Sequence, residues 1–224
     1  KRQELVKAIL AETDLPRLRL SSIEPWDLTP ELLALWPHPR LCRHLHLPLQ
    51  SGCDATLRRM GRRYTTSQYA DLVAMARQSI PDLAVTTDVI VGFPGETAEE
   101  FAQSLSFVAE MEFARTHVFK YSARPGTPAA KMPHQVPFAE KKRRSQAMLE
   151  LARESSQRFH RRFLGREMDV LWESEDDRHT WSGLTDNYIR VMTKNERRLA
   201  NTITPTRLLG LIEDGMYGEV EAQG

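Results

Sequence analysis

Residues 83–91, nearly continuous in apolar character and rich in Val, Thr and Ile, constrain this chain more than any other stretch. A run of that length and composition is a strand buried on both faces, which a parallel sheet covered by helices provides and a solvent-faced antiparallel sheet does not. It ends in Gly92-Phe93-Pro94-Gly95-Glu96, a strand-to-helix turn, and Thr97 with Glu100 forms a capping box for a helix over 98–111. The same rhythm recurs around it. Apolar runs at 18–23, 44–49 and 116–121 alternate with helical patterns near 2–12, 54–60 and 66–79, and Thr29-Pro30 opens a further helix. Successive βαβ units of this kind give a parallel sheet with right-handed crossovers. Four strands cannot close an eight-stranded barrel, so the expectation is an α/β fold, an open sheet or partial βα barrel whose chemistry sits on the loops after each strand.

Beyond Pro137 the pattern over 138–164 is one long basic helix. Residues 140–166 carry nine basic against three acidic side chains, whereas 167–177 carry six acidic and no basic ones. That shift places a boundary near Gly165, dividing the chain into 1–164 and 165–224. Past it, β-like runs at 168–172, 188–192 and 208–213 with polar turns suggest about five short strands, a small all-β, OB-like barrel of the nucleic-acid-binding kind. No apolar run approaches a membrane span and no signal-peptide core is present, so the chain is expected to be cytoplasmic, with no membrane partner. Two cysteines, Cys42 and Cys53, are too few and too far apart for a metal knuckle.

The strand ends carry the candidate polar groups. Gln50, Ser51 and Asp88 are placed to reach a common cavity. Asp88, a carboxylate in an apolar strand, needs a partner, since an unpaired buried charge costs several kcal/mol. A structural hydrogen-bond hub accounts for Asp88 as well as a ligand contact does, and helix capping accounts for Gln50 and Ser51. His44 and His46 lie two apart, a potential metal pair, but without a third ligand nearby strand packing is the better reading, and no metal site is expected. Cys53 has no neighbouring His and reads as a small buried residue. For phosphates, Arg158, Arg161 and Arg162 are spaced to point toward one side of the helix. Lys194, Arg197 and Arg198 sit on a polar turn, with Tyr188 or Trp181 available for base stacking. Residues 165–220 are net acidic, seven basic against eleven acidic, so local clusters rather than bulk charge must bind nucleic acid.

Across these strand ends the chain resembles the methylthiotransferases of the radical S-adenosylmethionine superfamily. The resemblance rests on four motifs: Leu20-Ser21-Ser22-Ile23-Glu24-Pro25, His44 to Asp54 with Leu57 to Thr65, Thr87 to Thr97, and His117-Val118-Phe119 with Tyr121 to Ala130. Together they cover roughly 17–135 in order. Ser-Ile-Glu-Pro, Leu-Gln-Ser-Gly-Cys-Asp and Arg-Pro-Gly-Thr-Pro-Ala-Ala are most similar to the branch acting on threonylcarbamoyladenosine beside the tRNA anticodon, with the isopentenyladenosine branch as near competitor.

The resemblance implies a radical SAM barrel followed by a TRAM domain, the family's small RNA-binding β-barrel, at about 165–221. It implies S-adenosylmethionine and [4Fe–4S] clusters as cofactors, sulfur insertion and methylation at adenine C2, and the tRNA anticodon stem-loop as partner. Glu24, Gln50, Ser51, Asp88, Gly92, Phe119 and Tyr121 would then contact cofactor, and Arg124 would join the RNA-binding arginines. The family's CxxxCxxC loop and three auxiliary cysteines have no counterpart here, so the residues present complete a pocket and bind RNA without generating a radical. An RNA-binding module without catalysis is the first rival, and an unrelated acid–base enzyme using Glu24, Asp88 and Glu96 the second. The exposed sheet edge is expected to promote self-association.

Overall fold

In the computed structural model, which describes residues 2–221, the apolar run becomes β3 (Ala84–Val91), an inner strand of a four-stranded parallel sheet. Strand order is β1 (Leu18–Leu20), β2 (Leu41–His46), β3, β4 (Arg115–Lys120). Helices α1 (Arg2–Glu12), α2 (Pro30–Leu33), α3 (Asp54–Arg59), α4 (Thr66–Ser79) and α5 (Ala98–Met111) occupy the chain before and between the strands. The caps form where the sequence asks for them: Thr97 and Glu100 bond reciprocally at α5, Thr65 and Gln68 do the same at α4, and Thr29 caps α2. Leu45, Val85, Val89 and Val91 turn to the helix-covered face and pack with Tyr69, Val73, Phe101 and Val108 in one core.

Two strands differ in extent from the expected runs, for local reasons. β1 stops at Leu20 because the chain turns at Ser22, whose φ of 53° is left-handed. β2 stops at His46 because Pro48 has no N–H to continue the ladder. The Thr87 hydroxyl replaces it, accepting from the Leu49 amide at 2.9 Å and donating to the Leu47 carbonyl at 2.7 Å. Pairing resumes at Gln50, with φ of 69°, which exchanges backbone bonds with Asp88 and Ile90.

Helix α6 (Phe138–Arg161) packs along β4 and leads into a closed barrel in the order β5-β6-β7-β9-β8. The strands are β5 (Glu167–Glu175), β6 (Thr180–Thr185), β7 (Arg190–Lys194), β8 (Ile203–Ile212) and β9 (Gly215–Val220). β6 and β9 show no apolar run in sequence, because alternate residues face solvent and only their inner halves are buried. β7 begins at Arg190 rather than at 188, since the Thr185 hydroxyl accepts the Ile189 amide at 2.9 Å and Tyr188 takes φ of 68° in the turn. The barrel core of Val170, Trp172, Ile189, Val191, Leu208 and Met216 is fully buried.

The barrel docks on the N-terminal ends of the parallel strands. Arg17 donates to the Leu184 and Asp169 carbonyls, Arg43 pairs with Asp186 at 2.6 Å, and Arg115 with Asp214 at 3.2 Å. Ala84 and Ala114 belong to the barrel's apolar cluster. The opposite, C-terminal ends of the strands stay free for a site.

Candidate functional site

The face of the sheet turned away from its helices is lined in layers, because parallel register places Asp88 beside His117, Ile90 beside Phe119 and His46 beside Thr86. The lowest layer is sealed by the barrel. Tyr188 stacks on His44 with centroids 4.2 Å apart, and the Arg19 guanidinium lies 4.8 Å from the centroid of the Tyr188 ring. Burial holds His44 neutral, its pKa pushed down to about 3.

The middle layer is polar. His46 Nε2 lies 3.3 Å from Asp88 Oδ2, so the carboxylate has the partner that its strand position demands. Asp88 is half-buried rather than fully enclosed, with 28% of its side chain exposed, which lowers the cost of its charge. His117, from the next strand, joins them, its pKa lowered chiefly by burial. The side chains that converge are His46, Asp88 and His117, and His44 takes no part. Register across two crossovers creates this trio, to which the His-x-His spacing contributes His46 alone.

Above it opens a cavity of about 540 Å³, lined by Gln50, Asp88, Phe93, Phe119, Tyr121 and Arg124 among others. Phe119 is 53% exposed. Phe93 meets the Tyr121 ring edge-on at 5.2 Å, and Lys141 lies 5.0 Å over that ring. The buried Tyr121 hydroxyl has no hydrogen-bond partner among the described residues, as a polar atom awaiting a ligand would; Glu24 Oε2 is likewise buried and unpartnered among them, but Glu24 is not one of the residues that line this cavity. Ser51 does not join them: it is wholly buried, and its hydroxyl accepts the Cys53 amide at 3.3 Å, the local role that capping residues play. Cys53 is buried too, its thiol bonded to Gln103.

Gly92 serves the turn. At φ of 71° it donates its amide to Glu96 Oε2 at 2.6 Å, and a Cβ there would fall 2.5 Å from the Lys141 side chain. Glu96 in turn pairs with Arg144 of α6 at 2.7 Å, both side chains 5% exposed or less. Burial raises the Glu96 pKa, opposed by Arg144 and by the Gly92 amide. Glu140 holds Arg144 from the other side at 2.8 Å. This buried pair, 48 residues apart in sequence, fastens the turn beneath the cavity to the long helix.

Of the basic residues expected to meet phosphates, Arg158, Arg161, Lys194, Arg197 and Arg198 are exposed. Arg162 is partly spent, bonded to Asp82 at 3.3 Å and laid over Phe159. Arg197 and Arg198 line a separate cleft of about 460 Å³ on the barrel. The aromatic expectation is corrected here. Trp181 is 3% exposed with its indole N–H bonded to the Asn195 carbonyl, and Tyr188 is sandwiched between His44 and Arg19, so neither ring offers a face to a base.

A partial parallel barrel with an aromatic-lined cavity at its strand C-termini, joined to a small β-barrel, has clear relatives. The description "Radical SAM superfamily" matches residues 1–108. The chain belongs to that superfamily. Threonylcarbamoyladenosine tRNA methylthiotransferase MtaB of Thermotoga maritima is 43% identical, over 99% of this chain and 52% of that protein. The tRNA-2-methylthio-N(6)-dimethylallyladenosine synthase of Thermobifida fusca is 45% identical, over 75% of this chain and 34% of that protein. Bacillus subtilis MtaB is 35% identical, over 86% and 44%. Within the superfamily, the chain is a member of the tRNA methylthiotransferase family. It spans about half the length, or less, of the curated relatives it matches.

Proposed function

We propose that these residues form the cofactor-pocket and tRNA-holding portion of a methylthiotransferase that modifies C2 of N6-threonylcarbamoyladenosine next to the anticodon. The observation that carries the reading is the similarity to the Thermotoga maritima protein along 99% of the chain, barrel included, at 43% identity. The dimethylallyladenosine branch is the second reading: it matches at 45% identity over 75% of the chain and at 36–37% over 97% of it.

S-adenosylmethionine supplies the methyl group and the radical precursor in such chemistry, and the cavity fits it. Gln50 and Asp88 offer polar contacts, Phe119 and Tyr121 a stacking surface, and the unpartnered Tyr121 hydroxyl a further hydrogen-bonding atom. Gly92 and the Glu96–Arg144 pair position the floor rather than touch the ligand. A [4Fe–4S] cluster does not fit these residues, because two buried cysteines on separate elements cannot supply three thiolates. The chain alone therefore orients, stacks and shields, and is inactive without cluster ligands from elsewhere.

Residues 165–224 act as a TRAM-like RNA-binding module, with Arg158 and Arg161 on the preceding helix and Arg124 at the cavity mouth as further phosphate contacts. An unpaired edge of the sheet provides a route to self-association. Fluorescence titration with anticodon stem-loops bearing either modified adenosine tests the reading. Threonylcarbamoyl-bearing RNA is expected to bind more tightly, with affinity falling steeply with salt. The R197A/R198A double variant should flatten the log K against log salt slope by about 1–2. Equal binding of unmodified RNA, or an unchanged slope, rejects the assignment.

A further inference from the structure

We propose that His46, Asp88 and His117 form a binding site for one divalent first-row transition ion, separate from any iron–sulfur cluster. Asp88 and His117 are register partners on adjacent parallel strands, His46 reaches them from its place beside Thr86 on the neighbouring strand, and one ligand atom from each lies within 4.8 Å of the other two. Two imidazoles and one carboxylate on one side of an ion leave the other side open, the donor set that Zn²⁺ and Fe²⁺ accept with an exchangeable position. Asp88 also lines the 540 Å³ cavity, so the open position faces the space where a ligand enters.

The surroundings hold the ligands for this purpose. Thr86 Oγ1 lies 3.0 Å from His46 Nδ1, on the ring edge opposite Asp88, and 2.9 Å from His44 Nε2. A hydrogen bond at Nδ1 fixes the ring and directs Nε2 at the carboxylate, as the outer partners of metal-bound histidines do. His44 is itself pinned under Tyr188, so the orientation of His46 is backed by the docked barrel. The His46 and His117 rings sit 6.0 Å apart between centroids and tilted by 59°, close enough to converge on one ion without stacking. To bind an ion, His46 takes the neutral tautomer with Nε2 bare toward the ion and its one proton on Nδ1, which donates to the Thr86 hydroxyl.

The test is titration of the full chain with Co²⁺, followed by its visible d–d bands, and with Zn²⁺, followed by calorimetry. One equivalent is expected, with Zn²⁺ displacing Co²⁺ and raising the melting temperature. His117→Ala and Asp88→Asn should each weaken binding at least about tenfold, while His179→Ala, at an exposed histidine of the barrel, should leave it unchanged. Because Asp88→Asn keeps the side-chain shape, it remains informative if His117→Ala fails to fold, as judged by circular dichroism. Absence of stoichiometric binding, or binding indifferent to Asp88→Asn and His117→Ala, overturns the site and leaves a plain His–carboxylate hydrogen bond.

Discussion

The parallel sheet and the small barrel solve the same problem in opposite ways. The barrel closes on itself, so every strand has two neighbours and its core of Trp172, Val170 and Leu208 is sealed. The sheet has edge strands β1 and β4 and one face covered by helices, while the other carries His46, Asp88, Ile90 and Phe119 toward a cavity. Closure gives the barrel a self-sufficient core. The face without helices gives the sheet its chemistry, because polar groups that would be costly in a sealed core remain half-wet and available.

The largest effect that would break this contrast is expected in the barrel. Trp172→Ala removes a fully buried indole and orphans the Thr204 hydroxyl that it donates to at 2.8 Å, at a cost of about 5 kcal/mol. In the sheet, Arg144→Ala strands the buried Glu96 carboxylate, at about 4 kcal/mol. Denaturant unfolding should show the first variant losing barrel structure. The second should keep the barrel and lose protection of the Gly92 amide to hydrogen exchange. Equal loss of protection everywhere in both would show a single cooperative unit instead of two.

The junction titrates. His160, buried between α6, β4 and the barrel, has its pKa lowered to about 4, mainly by burial. Unfolded chain takes up a proton below the usual value of about 6.5 while the native state refuses it until about 4, so stability falls as pH drops through that window and levels off below it. The full effect is on the order of 3 kcal/mol. Chemical denaturation across pH 7 to 4, compared between the native chain and His160→Gln, should show the variant with the shallower slope.

A smaller effect is expected at Asp82, which receives Arg166 at 2.8 Å, Arg162 at 3.3 Å and Arg43 at 3.5 Å where sheet, helix and barrel meet. These arginines hold the Asp82 carboxyl below its usual range, the Arg166 hydrogen bond being the main cause. Partial exposure limits the cost of Asp82→Asn to about 1 kcal/mol. Arg162 and Arg166, released from it, should steepen the salt dependence of RNA binding by about 1–2 in slope. An unchanged slope would mean that these arginines face no phosphate.

What the sequence by itself determined is everything set by neighbours within a turn or two. The Thr97 and Glu100 capping box, the helices at 66–79 and 98–111 and the buried strand, 83–91 by pattern and Ala84–Val91 in the structure, follow from local periodicity and caps. Gln50, Asp88, Phe119 and Tyr121 could be placed at one cavity because the period of a strand is two. Tertiary structure alone decided which residues meet across crossovers: His46 with Asp88 and His117, Glu96 with Arg144, and Tyr188 with His44. It also decided that Ser51 and Trp181 turn inward. Parallel partners are separated by whole helices, so their register is set by how those helices pack on the sheet, a long-range balance of contacts that no local pattern of residues encodes.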